Sequence, residues 1–541
     1  MTTRRDLLRL SLPVILGGCG GGGGGSGGAP SPAPAPGPAP APGPAPAPGP
    51  APAPTPVAGP PLWPGHAGNA QHQASSSVQS QSLNRVLWTA PIDLFPPYRA
   101  NGSLLIHYGS PAITATGTVL LPVRTSANNN FRLEARVGAT GGLLWQQDSS
   151  YVPPNATWTP MCTVAVDANN RAFFPESGGR ILCRDTVDST TGTLTRLCFY
   201  GDAVYTANAA ALDAAVRICT PLTVGTDGAV YFGFQAVAGN VANVTSGFVR
   251  IAANGAASWV SVASLSGDAA IVKPAMNAAP ALSVDGATLY VACNSGAGGS
   301  GLQTGCLLAL DASTLALKSR RALLSPMTAS SAYVTDNSTA APMVAPDGDV
   351  FYGVLENVRN DHNGRGWLLH FDATLGTSKT PGSFGWDDTP SLIPASMVGA
   401  YTGSSSYLLL SKYNNYYGAG TGDGQNQMAI LDPNATQADG YATAVRVMKE
   451  VITVIGPTPD SATPGGVREW CVNTAAVDAA SNSVLINNED GTLYRWDLRI
   501  NSLSQGVVMN AGLGQAYTAT VIGRDGVVYA VNNATLNAIG A

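Results

Sequence analysis

Charged side chains are scarce in this chain of 541 residues. They make up 11% of the sequence, the formal net charge is −5, and no cluster of Lys and Arg forms a basic patch. Because nucleic-acid binding relies on such a patch to neutralise phosphates, nucleic acid is not expected as a partner. Apolar runs of 18 or more residues are absent, so no transmembrane helix is expected. The sequence also lacks Cys-x-x-Cys-His, so no haem attachment is expected.

The first 19 residues have the layout of a bacterial export signal. Arg4 and Arg5 precede a short apolar run, Leu10–Leu16, and Gly-Gly-Cys19 follows. Small residues before a cysteine resemble the lipobox, in which the cysteine receives lipid and becomes the new N-terminus. The arginine pair resembles a twin-arginine signal, with Leu7 where that motif usually has Phe. We predict a lipoprotein anchored to the membrane through Cys19; the alternative is an ordinary signal peptide that is cleaved nearby.

The residue after Cys19 and the segment that follows predict where the anchored protein resides. Gly20 is not Asp, so resemblance to lipoprotein sorting rules implies retention at the outer membrane, facing the periplasm or the cell surface. Residues 20–62 are rich in Gly, Pro and Ala, which predicts a disordered linker that begins flexible and continues as polyproline II. At roughly 3 Å per residue, its Pro-rich part spans on the order of 100 Å.

A short cassette recurs in the rest of the chain. Its three clearest copies are Pro221-Leu-Thr-Val-Gly-Thr-Asp-Gly-Ala-Val-Tyr231, Pro280-Ala-Leu-Ser-Val-Asp-Gly-Ala-Thr-Leu-Tyr290 and Pro342-Met-Val-Ala-Pro-Asp-Gly-Asp-Val-Phe-Tyr352. Asp-Gly between apolar or β-branched residues predicts a β-hairpin with a two-residue type I′ turn. Since one hairpin is not stable alone, its repetition indicates a propeller or array.

Eight such strand pairs can be placed along the chain. They are Pro111–Leu121, Pro160–Phe174, Pro221–Tyr231, Pro280–Tyr290, Pro342–Tyr352, Pro390–Leu410, Val472–Leu485 and Thr518–Tyr529. A second strand pair follows each one, most clearly at Gly305–Leu315, where an apolar strand ends in Asp311 and a turn. Four antiparallel strands in each of eight units predict an all-β, eight-bladed propeller over residues 63–541.

Two motifs resemble those of the bacterial PQQ-like propeller proteins, the quinoprotein alcohol dehydrogenase-like class. Trp63-Pro-Gly-His-Ala-Gly-Asn-Ala-Gln-His72 resembles the segment with which these propellers open. Thr140-Gly-Gly-Leu-Leu-Trp145 resembles their Thr-Gly-x-x-x-Trp repeat, whose Trp packs between neighbouring blades. Most blades lack the full repeat, so the resemblance implies a divergent member.

The last unit has one strand too few. After Tyr529 only Thr535–Ile539 remains, and Val86–Thr89 is a strand-like segment outside the units. We predict that Val86–Thr89 pairs beside Thr535–Ile539, closes the ring and leaves Trp88 at least partly buried, because closure removes exposed sheet edges.

Seven cysteines remain once Cys19 is assigned to lipid. In an exported chain they are first interpreted as disulfides. Cys183 and Cys198 flank a predicted hairpin turn, and Cys293 and Cys306 flank a Gly-Ser-rich loop. Cys162 and Cys219 lie near the starts of adjacent inner strands and form the third predicted pair. Cys471 is left as a buried thiol.

The resemblance implies possible cofactors. PQQ-dependent dehydrogenases hold PQQ and Ca²⁺ on the propeller axis, with a catalytic Asp, Glu and Asn metal ligands, an aromatic floor and a disulfide between adjacent cysteines. This sequence has no adjacent cysteines and no Glu in an obvious axial motif. No PQQ ligand can be transferred residue by residue, so neither PQQ nor Ca²⁺ is predicted outright.

Two polar clusters lie in segments that lead into innermost strands. These are Asp387 and Asp388 after Trp386, and Arg468-Glu469-Trp470. Such loops lie at one mouth of a propeller channel, so the five residues are candidate site residues; the alternative is solvated loop charges over a packed aromatic. The favoured function is a tethered binding or scaffolding module for protein, peptide or polysaccharide, and the alternative is a divergent quinoprotein dehydrogenase acting on alcohols or sugars.

Overall fold

The computed structural model describes residues 59–541 apart from 101, 103, 105, 128–129, 155–161, 297–302, 359–365, 415–422 and 513–518. The predicted signal segment with Cys19, and nearly all of the predicted linker, lie outside the described residues. So do Pro160 and Thr518, with which two of the predicted strand pairs begin. No helix in the described ranges is long and apolar enough to cross a membrane.

The described strands form eight antiparallel blades. Two short N-terminal strands come first in the chain: β1 (Ser75–Ser76) and β2 (Arg85–Pro91). The strands of the first four blades are, for blade 1, β3 (Ala112–Ile113), β4 (Thr118–Arg124), β5 (Phe131–Val137) and β6 (Leu143–Ser149); for blade 2, β7 (Ala165–Val166), β8 (Ala172–Glu176), β9 (Arg180–Arg184) and β10 (Leu194–Leu197); for blade 3, β11 (Val216–Ile218), β12 (Thr223–Val224), β13 (Val230–Ala236), β14 (Gly247–Ile251) and β15 (Ala257–Ser261); and for blade 4, β16 (Ile271–Pro274), β17 (Ala281–Leu282), β18 (Thr288–Ser295), β19 (Gly305–Asp311) and β20 (Leu317–Ala322).

The second half of the ring repeats this plan. Its strands are, for blade 5, β21 (Met343–Val344), β22 (Val350–Leu355), β23 (Gly366–Phe371) and β24 (Gly382–Ser383); for blade 6, β25 (Ser391–Pro394), β26 (Tyr407–Tyr413), β27 (Gln427–Ala438) and β28 (Arg446–Ile455); for blade 7, β29 (Ala476–Asp478), β30 (Ser483–Asn487), β31 (Thr492–Asp497) and β32 (Ser502–Val508); and for blade 8, β33 (Val521–Ile522), β34 (Val528–Asn532) and β35 (Thr535–Gly540). Helix α1 (Asp202–Ala215) lies between blades 2 and 3, and α2 (Val262–Leu265) between blades 3 and 4; Ser177–Gly179 and Ala395–Met397 are single 3₁₀ turns. The predicted eight-bladed propeller is confirmed.

The cassette turns differ from the predicted type. In the copy at Asp227-Gly228, the Gly228 N–H donates to the Gly225 carbonyl at 2.9 Å and the Gly225 N–H to the Ala229 carbonyl at 2.8 Å. Only the glycine has a positive φ, of 75°. The Asp227 carboxylate accepts the N–H of Ala229, which holds the aspartate in the ordinary negative-φ region. The turn is therefore a type I turn with a G1 bulge, and the type I′ prediction was wrong because the side chain competes for the backbone.

Recurring side chains fasten each blade to the next. The cassette tyrosine Tyr231 donates to the Ala312 carbonyl of blade 4, and Tyr290 donates to the Ala373 carbonyl of blade 5. In both cases the acceptor directly follows an aspartate, Asp311 at the end of β19 and Asp372 just after β23. Trp145, from the Thr-Gly-x-x-x-Trp motif, donates its Nε1 hydrogen to the Val187 carbonyl of blade 2 at 2.7 Å. The predicted packing of this Trp between blades is confirmed.

Strand β2 closes the ring. It pairs antiparallel with β35, with Val86 opposite Ile539 and Thr89 opposite Asn537. Trp88 is partly buried and donates to the Gly138 carbonyl of blade 1 at 2.8 Å. A Cβ on Gly141, which has φ +71°, would lie 2.6 Å from the Trp88 ring, so only glycine fits there. The predicted closure is confirmed.

Strand direction divides the ring into two faces. The turns between the first and second strands, such as Asp227-Gly228, lie on one face, which we call the turn face. The loops between second and third strands, and the connections from blade to blade, lie on the other, the connection face. Every polar cluster described below lies on or near the connection face.

An N-terminal segment that we call the axial segment (Trp63–Ser76) follows the inner edges of the blades around the channel. It exchanges backbone hydrogen bonds with the innermost strands of six blades, at Ile113, Val166, Leu282, Val344, Leu392 and Val477. Positive φ angles at Ala67, His72 and Ala74 let it curve round the axis. These partners lie near the turn face, so the segment lines that end of the channel.

Two histidines in the axial segment are buried. Burial lowers the pKa of His72 to about 4, and the pKa of His66 falls well below its usual value for the same reason, with His72 as a second cause. His72 Nδ1 lies 2.7 Å from the Pro342 carbonyl oxygen. The resemblance of this segment to propeller openings did not show that it pairs with the inner strands.

Candidate functional site

A buried carboxyl pair lies where blades 5, 6 and 7 meet on the connection face. Asp387 and Asp388 belong to the connection between β24 and β25, and each is 2% exposed. Lys412 comes from β26, Thr339 from the connection before β21, and His107 from the connection before β3. The alternative interpretation, solvated loop charges, is therefore wrong for this pair.

Asp387 is held in one orientation by its neighbours. Its Oδ1 accepts the backbone N–H of Thr339 at 2.8 Å and lies 3.9 Å from His107 Nδ1. Its Oδ2 lies 3.8 Å from Lys412 Nζ. Its φ is +61°, a backbone strain that is tolerated only where surrounding contacts hold it and that is enriched at functional sites.

Asp388 differs in its partners. Its Oδ2 accepts hydrogen bonds from Ser411 Oγ and from the Lys412 N–H, both at 3.1 Å. Burial raises the pKa of Asp388 to about 7, against the opposing effects of Lys412 and these hydrogen bonds. Burial also raises the pKa of Asp387, and Lys412 and Thr339 oppose it. A buried carboxyl with a pKa near neutrality can exchange a proton at physiological pH.

The raised pKa of Asp388 predicts a pH-dependent stability. Between the unfolded value of 3.8 and the folded value of about 7, the folded protein retains a proton that the unfolded chain releases, so stability falls as pH rises through that window. Asp388→Asn should therefore gain stability relative to wild type from pH 4 to pH 7, by an amount on the order of 4 kcal/mol at most. Chemical denaturation across this range measures the difference.

A matched aspartate serves as the control. Hydrogen bonds from Ser313 and Thr314 lower the pKa of Asp311, so Asp311→Asn should lose stability relative to wild type only as the pH rises to the unfolded value of 3.8, and should show no further change from pH 4 to pH 7. If Asp388→Asn is as flat as Asp311→Asn between pH 4 and pH 7, the assignment of the raised pKa to Asp388 is wrong.

The second predicted cluster divides between core and surface. Trp470 is fully buried, and Glu469 is 7% exposed with its Oε2 3.3 Å from Asn414 Nδ2. Arg468 instead lies 3.3 Å from Asp460 and 3.6 Å from Glu489, away from the carboxyl pair. Glu469 and Trp470 therefore help to form the wall of blade 7, whereas Arg468 braces an outer loop.

The structure adds polar residues that the sequence did not single out. Asn473 connects the three blades, since its Nδ2 donates to the Thr339 carbonyl and its own carbonyl accepts the Thr389 N–H. Lys412 and His107 come close to the carboxyl pair only in the folded chain. The position of a polar residue just before an inner strand could have identified site residues from the sequence. Asn473 has such a position, whereas Lys412, at the end of a second strand, does not.

A separate buried ion pair lies between blades 4 and 5. Lys273 Nζ contacts both carboxylate oxygens of Asp336 at 2.8 and 2.6 Å and Asn294 Oδ1 at 2.7 Å. Asp336 also accepts from Asn294, Gln303 and the Met276 N–H. Both side chains are buried, with exposures of 5% and 0%.

In the described part of the chain, no disulfide is formed by Cys162, Cys183, Cys198, Cys219, Cys293, Cys306 or Cys471. The pairing of Cys183 with Cys198 does not fit, because the strand register places Thr195 opposite Cys183 and leaves Cys198 beyond the end of β10. Cys162 and Cys219 both lie beside Tyr151. Burial raises the pKa of Tyr151, and the two nearby thiols raise it further. Cys471 is buried, with its thiol 3.6 Å from Glu469.

Cys293 and Cys306 lie directly opposite each other in β18 and β19. Opposed residues in antiparallel strands have the Cα separation that a disulfide requires. A disulfide at this position stays a prediction, which mass mapping of non-reduced peptides from exported protein tests.

The described residues do not fit a calcium–quinone centre. Calcium requires six to eight oxygen ligands with several carboxylates among them, and no group of three His, Cys, Asp or Glu side chains in the described ranges is placed to hold a metal. Asp387 and Asp388 already accept protein hydrogen bonds, and burial disfavours their charged forms.

Comparison with known proteins supports the architecture. No protein-family profile and no curated protein matches this sequence. A europium-containing methanol dehydrogenase superposes with a TM-score of 0.50 at 12% identity, covering 87% of this chain and 89% of that one. A quinohemoprotein alcohol dehydrogenase from Comamonas testosteroni gives 0.49 at 14% identity, covering 89% and 77%. BamB from Moraxella catarrhalis gives 0.43 at 13% identity, covering 86% and 100%.

The likeness to the methanol dehydrogenase, with a TM-score of 0.50 at 12% identity, supports the fold alone. The chain is an eight-bladed β-propeller with the PQQ-like architecture that its motifs predicted, and its sequence is divergent. Propellers of one fold carry out unrelated functions, so the function has to be argued from this chain's own surfaces.

Proposed function

We propose that this protein is an exported, lipid-tethered propeller that acts as a binding or scaffolding module in the bacterial cell envelope. The observation that carries the proposal is an exposed apolar loop on the connection face, Leu94–Tyr98. Leu94, Phe95 and Tyr98 are 44%, 51% and 48% exposed, and two prolines lie between Phe95 and Tyr98. Adjacent exposed aromatic and aliphatic side chains are typical of protein-docking sites.

A buried ion pair braces this loop. Arg124 Nη1 lies 3.0 Å from Asp93 Oδ2, and the same nitrogen donates to the Phe95 carbonyl at 2.7 Å. Tyr108 donates its hydroxyl hydrogen to Asp93 Oδ2 at 2.8 Å, and the Phe95 N–H donates to Asp93 Oδ1. The apolar side chains are thus presented on an ordered backbone, which lowers the entropy lost when a partner binds. This arrangement favours a protein partner over a peptide or a polysaccharide.

Site-specific photo-crosslinking in cells tests the proposal. With p-benzoylphenylalanine in place of Phe95, we expect a discrete crosslinked species of defined mass. The matched control replaces Ile500, which is 69% exposed on the turn face. Identical crosslinking at both positions, or none at Phe95, would contradict a docking role for the loop.

The tether gives a second prediction. If Cys19 is lipidated, Cys19→Ser should move the protein from the membrane fraction to the soluble fraction and abolish labelling by a fatty-acid probe, because one residue carries the anchor. Fractionation and probe labelling measure this. A Cys19→Ser protein that stays in the membrane fraction with wild-type labelling would refute the anchor.

The second candidate function is a divergent quinoprotein dehydrogenase oxidising alcohols or sugars; the described residues do not fit a calcium–quinone centre, and one property of the carboxyl pair favours this candidate. Asp388, with its pKa near 7, has the proton affinity of a general base, and His107 lies beside Asp387. Reconstitution with PQQ and Ca²⁺ discriminates between the candidates. Stoichiometric PQQ uptake with dye-linked oxidation would replace the scaffolding proposal; Asp388→Asn would then have to abolish turnover without abolishing uptake.

A further inference from the structure

A groove separates blades 3 and 4 on the connection face. Its volume is about 700 Å³, and we call it the blade 3–4 groove. Polar side chains at Arg217, Gln235 and Lys273 line it, together with apolar Val237 and Val272. None of these residues belongs to the carboxyl pair or to the Leu94–Tyr98 loop, so the groove is a separate feature of the same face.

Two donors stand side by side in the groove without adequate acceptors. Arg217 in β11 lies directly opposite Gln235 in β13, so their side chains project on the same side of the sheet. Arg217 Nε is buried without a hydrogen-bond partner, and Nη1 reaches only the Pro153 carbonyl at 3.5 Å. Gln235 Nε2 is also buried, and the acceptor beside it is the Cys219 thiol, which is a weak one. No carboxylate in the described part of the chain forms an ion pair with Arg217.

The other cation in the groove is already neutralised. The Lys273 ammonium has three N–H bonds, and the side-chain oxygens of Asp336 and Asn294 accept a hydrogen bond from each. The uncompensated positive charge in the groove is therefore that of Arg217. A guanidinium beside an amide N–H₂ forms a planar set of donors that matches a carboxylate.

Apolar surface lies beside these donors. Val237 is 61% exposed and Val272 is 40% exposed, and alanine residues complete the walls. Since both valines remain accessible next to a buried cation, the groove matches a ligand with a carboxylate at one end and an apolar side chain next to it.

We infer that the blade 3–4 groove binds the C-terminal carboxylate of a polypeptide that ends in an apolar residue. This inference rests on the proposed binding function and identifies the chemical group that the partner presents. Arg217 and Gln235 would receive the carboxylate, and Val237 and Val272 the terminal side chain. A carboxylate supplies stronger acceptors than the Cys219 thiol and the distant Pro153 carbonyl offer to these two donors.

Fluorescence anisotropy of the purified full chain with a labelled peptide tests the inference. The probe is fluorescein-Gly-Ser-Ala-Ala-Val with a free C-terminus, compared with the same peptide as its C-terminal amide. We expect the free acid to bind at least about tenfold more tightly, because the amide removes the charge that Arg217 recognises. Arg217→Gln should lose that preference, and Arg217→Lys should retain part of it.

The charge-matched control is Arg499→Gln, an exposed arginine of blade 7, which should bind like wild type. A melting curve for each Arg217 variant shows that it is folded. Equal binding of acid and amide, or unchanged binding by folded Arg217→Gln, would overturn the inference. So would isovalerate that binds while the peptide does not, since this outcome would indicate a small organic acid. Absence of crosslinking at Phe95 together with intact peptide binding would contradict the docking role of the Leu94–Tyr98 loop. It would not contradict the inference about the groove.

Discussion

Deletion of Ser82–Asp93 is expected to abolish cooperative thermal unfolding. The segment contains β2, whose pairing with β35 provides the fourth strand of blade 8. It also contains buried Leu83, Ala90 and Ile92. Without it, β35 becomes an open sheet edge between blades 8 and 1, and the ring loses its closure. Calorimetry of the purified variant measures the result.

The control deletion removes residues 30–58, which lie outside the described residues and precede the axial segment. Its melting temperature should remain within about 1 °C of wild type, because no described contact depends on it. Two deletions with equal effects would contradict the closure. Trp88→Ala is a finer test: it keeps the strand, removes the hydrogen bond to Gly138 and should lower stability by about 3 kcal/mol.

Replacement of Asp336 by Ala is expected to destabilise the fold by about 3–5 kcal/mol. It leaves the Lys273 ammonium buried without its carboxylate and removes the acceptor used by Asn294, Gln303 and the Met276 N–H. An unpaired buried charge costs more than the pair itself contributes. Urea denaturation at constant pH measures the loss.

The double variant Lys273→Met, Asp336→Leu is the control for this experiment. It removes both charges, so much of the lost stability should return. If the double variant is no more stable than Asp336→Ala, the cost comes from packing or from the other hydrogen bonds to Asp336. An exposed pair, Arg499 with Asp497, should change stability by less than about 1 kcal/mol when it is broken.

Repetition made the architecture predictable. Each blade contains a hairpin with an apolar pattern of its own, so local residues indicate strands and turns before any tertiary contact is known. The missing strand of the last unit, together with one unassigned strand-like segment, predicted the closure by Val86–Thr89. The turn type was not predicted, because the Asp227 carboxylate accepts a backbone hydrogen that the dipeptide pattern does not reveal.

The candidate sites were only partly predictable. Asp387 and Asp388 were identified because they precede an inner strand, a position that topology assigns to one face. Their partners Lys412, Thr339 and His107 lie in other blades or at other points of a blade. Arg468 has the same kind of position as Asp387 and nevertheless points to an outer loop. Position before a strand locates the backbone but not the direction of a side chain.

By itself, the sequence determined the number of blades, the order of strands and the segment that joins the chain ends. Each hairpin is specified by residues that are close in the sequence, so the hairpins can be recognised and counted one by one. Only the tertiary structure decided that the axial segment bonds to six blades, that Lys273 pairs with Asp336, and that Arg217 lies in a groove without a carboxylate. These features depend on residues that are far apart in the chain and meet only when the ring closes. Their charges and hydrogen bonds are set by burial, which no local pattern specifies.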